Sequence, residues 1–130
     1  MKYDVNVYQV VLNGETRDLE KEGAFTKGMI GKAPTQEEFE KLYDKVLSFS
    51  IDVDSNDIFE VCEHCFVELN HEEMYSNPEE TNLKIHSTFR SLSVGDLLEI
   101  DNKLYLVRIQ GFSEFPCQDD NDDMLSLYNL

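Results

Sequence analysis

Apolar and polar residues alternate from Tyr3 to Leu12, with Val5, Val7 and Gln9 on one side of a strand and Asp4, Asn6 and Tyr8 on the other. Asn13-Gly14 then signals a turn. Glu15 to Glu22 reads as a loop or a helical turn. Gly23 to Pro34, with Gly28 and Gly31 inside it, shows little periodicity and reads as a loop. Thr35 and Glu38 have the spacing of a capping box, so a helix starts at 36. Phe39, Leu42, Tyr43, Val46 and Leu47 keep helical spacing, whereas Leu47, Phe49, Ile51 and Val53 alternate like a strand. The two patterns overlap, and the pair predicts a helix to near 44 followed by a strand to near 53.

Asp54-Ser55 offers another helix cap. Ile58, Phe59, Cys62, Cys65, Phe66 and Leu69 then form the apolar stripe of a helix over 56–68. Glu72 to Asn82 has no apolar period and contains Pro78, so it reads as a loop. A polar turn ends at Gly95-Asp96. Leu97 to Ile100 and Leu104 to Ile109 follow as a hairpin around Asp101-Asn102-Lys103, and Gly111 breaks the second strand. These elements predict one α+β domain over 1–117. Its small mixed or antiparallel sheet takes strands near 3–12, 46–53, 97–100 and 104–110, with about two helices packed on one face. An acidic tail over 118–130 ends in the apolar stretch Met124 to Leu130.

Length and composition support this reading. At 130 residues, with 8 Phe and 6 Tyr, the chain has material for a core without staples. No apolar run approaches the roughly 20 residues that a membrane helix needs. The first residues lack a signal-peptide layout, and three cysteines do not suggest a disulfide framework. The expectation is a cytoplasmic protein without a cofactor.

The formal net charge of −16 is unevenly placed. Residues 1–34 hold five bases and five acids, and residues 84–116 hold four of each. Residues 35–83 hold two bases and fourteen acids, and residues 117–130 add four aspartates and no base. Glu37, Glu38, Glu40 and Asp44 fall on the first helix segment, and Asp57, Glu60, Glu63 and Glu68 on the second. Carboxylates on two amphipathic helices suit a protein partner with a basic surface, or imitation of the phosphates of a duplex. The plainer reading is a solubilising surface. Direct nucleic-acid binding is not expected of so acidic a chain.

Cys62-Glu63-His64-Cys65, with His71 or His86, has the residue types of a zinc site, but a second close cysteine pair is missing and only Cys117 remains. The helical stripe accounts for Cys62 and Cys65 as core residues, and that reading is preferred. Gly28-Met29-Ile30-Gly31-Lys32 departs from the phosphate-binding loop in its spacing and in Ala33. His64, His71 and His86 are scattered, and no catalytic residue is expected. Lys84, His86 and Arg90 are the local basic cluster and supply the alternative function, a small module for an anionic ligand.

The stretch from His86 to Ile100, with its Ser91-Leu92-Ser93-Val94-Gly95-Asp96 block, resembles the YodL-like domain family. Tyr105 in the next strand, Gly111-Phe112, Val7-Tyr8-Gln9 and Asp57-Ile58-Phe59 are similar to that family as well. The resemblance implies a small α+β domain of Firmicutes chromosomes, phages and conjugative elements, often beside antirestriction proteins. The segment Glu68 to Asn82 and the acidic tail depart from the family's pattern. Together these readings lead to a non-enzymatic accessory protein that binds a basic partner through its acidic helices.

Overall fold

The computed structural model describes residues 1–12, 14, 16–71 and 78–116. The expected acidic tail, Cys117 and most of the expected 72–82 loop lie outside these residues. The frame is a six-stranded, wholly antiparallel sheet in the order β3-β2-β1-β4-β5-β6. Its strands are β1 (Lys2–Gln9), β2 (Asp44–Asp52), β3 (Lys84–Ile85), β4 (Leu97–Ile100), β5 (Lys103–Val107) and β6 (Phe112–Phe115). The helices are α1 (Leu19–Met29), α2 (Gln36–Leu42), α3 (Ile58–Leu69) and the four-residue α4 (Pro78–Thr81). The chain is thus α+β, as its patterning predicts.

Alternation along the strands builds two cores. Tyr3, Val5 and Val7 of β1, Leu47, Phe49 and Ile51 of β2, and Leu98, Ile100, Tyr105 and Val107 of the hairpin point to one face. There they meet Val61, Cys62, Cys65 and Leu69 of α3. Leu97, Leu104 and Leu106 point the other way, to Tyr8, Phe39, Leu42, Tyr43, Ala24 and Phe25. The helices therefore lie on both faces, α3 on one and α1 with α2 on the other. The expectation that they share a face is corrected here. The hairpin strands are buried on both sides, which is why Leu97-Leu98 and Leu104 to Val107 are unbroken apolar runs. The rest of the second face is polar. Asp4, Asn6, Ser48, Ser50 and Glu99 line it and bond to one another in pairs.

Four elements are missing from the sequence expectation, among them the short α4 inside the segment that reads as a loop. Residues 19–29 form a helix rather than a loop, started by Asp18, whose side chain accepts from the Lys21 N–H at 3.1 Å. Its glycines hid it. Gly28 is needed because α1 crosses the turn before β4 at close range: a Cβ on Gly28 would lie 3.2 Å from Gly95 Cα. β3 is only two residues long, and β6 pairs Phe112–Phe115 with Val107–Leu104 immediately after the Gly111 turn. The capping box is present as read, with Thr35 Oγ1 accepting from the Glu38 N–H and Glu38 accepting from the Thr35 N–H. α2 ends at Leu42 because Tyr43 turns extended and the strand pattern takes over.

Gly95 is required by both its backbone angle and its surroundings. Its φ is +95°, and a Cβ there would sit 2.6 Å from Gly28 Cα. Strain and backbone overlap together predict a loss of about 3 kcal/mol for Gly95→Ala. Gly111 has φ +71° but open space around it, so Gly111→Ala is expected to cost about 1 kcal/mol. Urea midpoints of the two variants test the difference.

Candidate functional site

The conspicuous polar centre is the corner before β4. Asp96 is 1% exposed. Its Oδ2 accepts from Arg90 Nη1 at 2.8 Å, the Ser93 N–H at 2.9 Å and Gln9 Nε2 at 3.0 Å, and its Oδ1 accepts from Arg90 Nη2 at 2.9 Å. Burial pushes the Asp96 carboxyl above the ordinary carboxylate range, while Arg90, Ser93 and Gln9 pull it back by favouring the charged form. The guanidinium also lies 5.0 Å from the Phe25 ring centroid. Arg90 is therefore committed to a structural pair. His86 Nε2 lies 2.7 Å from Ser48 Oγ, and Lys84 stands exposed on β3. The sequence cluster Lys84, His86 and Arg90 does not converge into a free cationic site.

His86 is not arranged as a catalytic base either. Asn6 Nδ2 donates to Glu99 Oε1 at 2.7 Å, which leaves Asn6 Oδ1 to accept from Ser48 Oγ at 2.7 Å. A hydroxyl has one proton to give, so His86 Nε2 must be the donor toward Ser48. The chain runs from His86 to Glu99, opposite to the direction that would activate Ser48. Cys62 and Cys65 are wholly buried under α3. Burial pushes the Cys62 thiol up to about 12, and Cys65 higher still. Among the described residues no three His, Cys, Asp or Glu side chains converge as metal ligands.

The predicted acidic surface is divided by the sheet. On the α1–α2 side three carboxylates have lysines: Lys27 Nζ donates to Glu38 at 2.6 Å, Lys41 to Glu20 at 2.8 Å and Lys21 to Asp44 at 3.4 Å. Burial pushes the Glu38 carboxyl up, but Lys27 and Thr35 outweigh it and hold it below the usual range. Glu40 accepts from Gln36, and Glu37 lies in the field of Lys41. On the α3 side, Asp57 caps the helix by accepting from the Phe59 N–H at 3.0 Å, and Glu60 accepts from Ser55 Oγ at 2.6 Å. Glu60, Glu63 and Glu68 have no cation partner among the described residues. The reason lies in the sequence: residues 46–83 contain ten acids and no lysine or arginine.

Beside these unmatched carboxylates lie apolar side chains that the helical stripe assigns to the core. Phe59 is 42% exposed and Phe66 36%, and Val67 is exposed as well. The stripe is wider than the contact it serves. Val61, Cys62, Cys65 and Leu69 fill the sheet, which leaves the two rings on one flank, edge-on to Tyr105 at 6.1 Å and Phe112 at 6.4 Å. Phe59, Glu63 and Phe66 follow one another at i, i+4 and i+7. Exposed aromatic groups beside like charge are typical of a protein-binding surface.

No family model, curated protein or solved structure matches the chain.

The buried ion pair is expected to act as a unit. Arg90→Ala and Asp96→Ala should each lose about 3–5 kcal/mol, and the double variant no more than the worse single one. Chemical denaturation of the four proteins reads the coupling. Alkylation followed by mass spectrometry should find Cys62 and Cys65 protected at pH 8 until the fold is lost.

Proposed function

We propose that this chain is a non-enzymatic, cytoplasmic accessory domain that binds a protein partner with a basic surface, and that the outer face of α3 makes the contact. The observation that carries the reading is the contrast across the sheet. Glu20 and Glu38 of α1 and α2 have lysine partners and Glu22 has Arg17, whereas Glu60 and Glu63 have no cation partner among the described residues and stand beside Phe59 and Phe66. Such a face attracts cations at long range and offers apolar area at contact. A phage or conjugative element as the setting rests on the YodL-like resemblance of residues 86–112. Imitation of a duplex would call for a continuous track of carboxylates, and α2 and α3 do not share a face. The broader reading, a basic protein surface, is therefore the one proposed.

That no helix of the described residues is long and apolar enough to cross a membrane fits this reading. Its test compares two pairs of charge reversals against a lysine-rich dodecapeptide at low salt. Glu60→Lys with Glu63→Lys should weaken binding by about tenfold or more, and Glu37→Lys with Glu40→Lys by less than about threefold. Equal losses in the two pairs, or no binding by the unaltered protein, would overturn the assignment to α3.

A further inference from the structure

A cleft runs beside α3 on the same side of the molecule. Glu63, Phe66 and Val67 form one wall, and Val107, Ile109 and Phe112 line the rest. Its volume is about 250 Å³. That falls below the roughly 300–1,000 Å³ of small-molecule sites, and it suits one or two protruding side chains. Two apolar side chains are exposed at its mouth: Val67 is 61% exposed and Ile109 37%. Glu63 stands at the rim, and Glu60 and Glu68 are exposed on the same helix. Arg108 also lines the cleft but is only 4% exposed, so it presents little charge to an incoming group.

We infer that this cleft receives a bulky aliphatic or aromatic side chain of a basic peptide segment, whose flanking lysines or arginines meet Glu60, Glu63 and Glu68. The inference rests on the proposed binding of a basic partner and adds the anchor. Charge complementarity selects the occupant. An acidic segment would meet the exposed carboxylates of Glu60, Glu63 and Glu68 while the one cation lining the cleft, Arg108, is buried, and a purely basic one would leave Phe66, Val67 and Ile109 in water. An anchor inside a charged rim gives the contact both its rate and its lifetime. The charges speed encounter, and the buried side chain slows release.

The test uses the full chain and two helical peptides of equal charge, one of lysine and leucine and one of lysine and alanine. Calorimetry should find the leucine peptide binding about tenfold more tightly. Val67→Ser with Ile109→Ser should erase that difference without altering the circular dichroism spectrum, since both side chains are already exposed. Amide shifts at Phe66, Val67, Ile109 and Phe112 should move with the leucine peptide and not with its counterpart. Equal affinity for the two peptides would overturn the anchor and leave the electrostatic reading in place. Failure of both peptides to bind would overturn the two together. Movement of the cleft amides when Leu125 and Leu127 are changed to Ser without peptide would assign the cleft to the chain's own apolar end. Concentration-dependent association lost in Val67→Ser would assign it to a second copy. Either result would overturn the inference.

Discussion

Asp96 is a carboxylate taken almost wholly out of water, and a lone charge in that position would cost several kcal/mol. Arg90 offsets that cost from six residues upstream, through two parallel bonds, and Gln9 and Ser93 occupy further acceptor sites. The arrangement is closed around three stretches of chain: the end of β1, the segment leading into β4, and α1 through Phe25. Gln9 does more than bond the carboxylate. Its amide donates to the Arg90 carbonyl and accepts from the Arg90 N–H, so it stands in for a neighbouring strand. Asn70 does the same for Leu92 at the end of α3. Two side-chain amides thereby satisfy an irregular segment that neither helix nor sheet provides for.

From that corner the placement of the candidate surface follows. The segment 90–96 is held on one side by Asn70, which terminates α3, and on the other by Gly28 of α1 and by Tyr43, whose hydroxyl donates to the Gly95 carbonyl at 2.7 Å. The helices on the two faces are thus referenced to one loop. With Cys62 and Cys65 filling the space under α3, its outward flank is fixed, and Phe59, Glu63, Phe66 and Val67 are presented by a rigid element.

Much of the frame was legible. Alternation located four strands, and Thr35 with Glu38 marked the start of α2 because a capping box is local chemistry that needs no tertiary context. Spacing put Gln9 on the same side of β1 as Val5 and Val7, and that side is the buried one. α1 was not legible, because its buried residues are Ala24 and Gly28, chosen for closeness rather than hydrophobicity. β3 and β6 are short edge strands whose pairing is decided by neighbours. The two-faced cover of the sheet could have been inferred from the unbroken runs at Leu97-Leu98 and Leu104 to Val107. At the candidate surface, spacing found Glu60 and Glu63 but sent Phe59 and Phe66 to the interior. Periodicity gives a direction around the helix, and only the width of the facing sheet decides where burial stops. Nor does it tell that Glu38 has a lysine and Glu63 does not.

The absence of lysine and arginine from 46–83 has a consequence at the scale of the whole molecule. Among the described residues the sheet acts as a slab between a side where acids are largely matched by bases and one where Glu60, Glu63 and Glu68 are not. Such a body has an electric dipole across its thin dimension, and a nearby cationic surface exerts a torque on it. It is turned before it is touched, so the face that arrives first is set by the field rather than by chance.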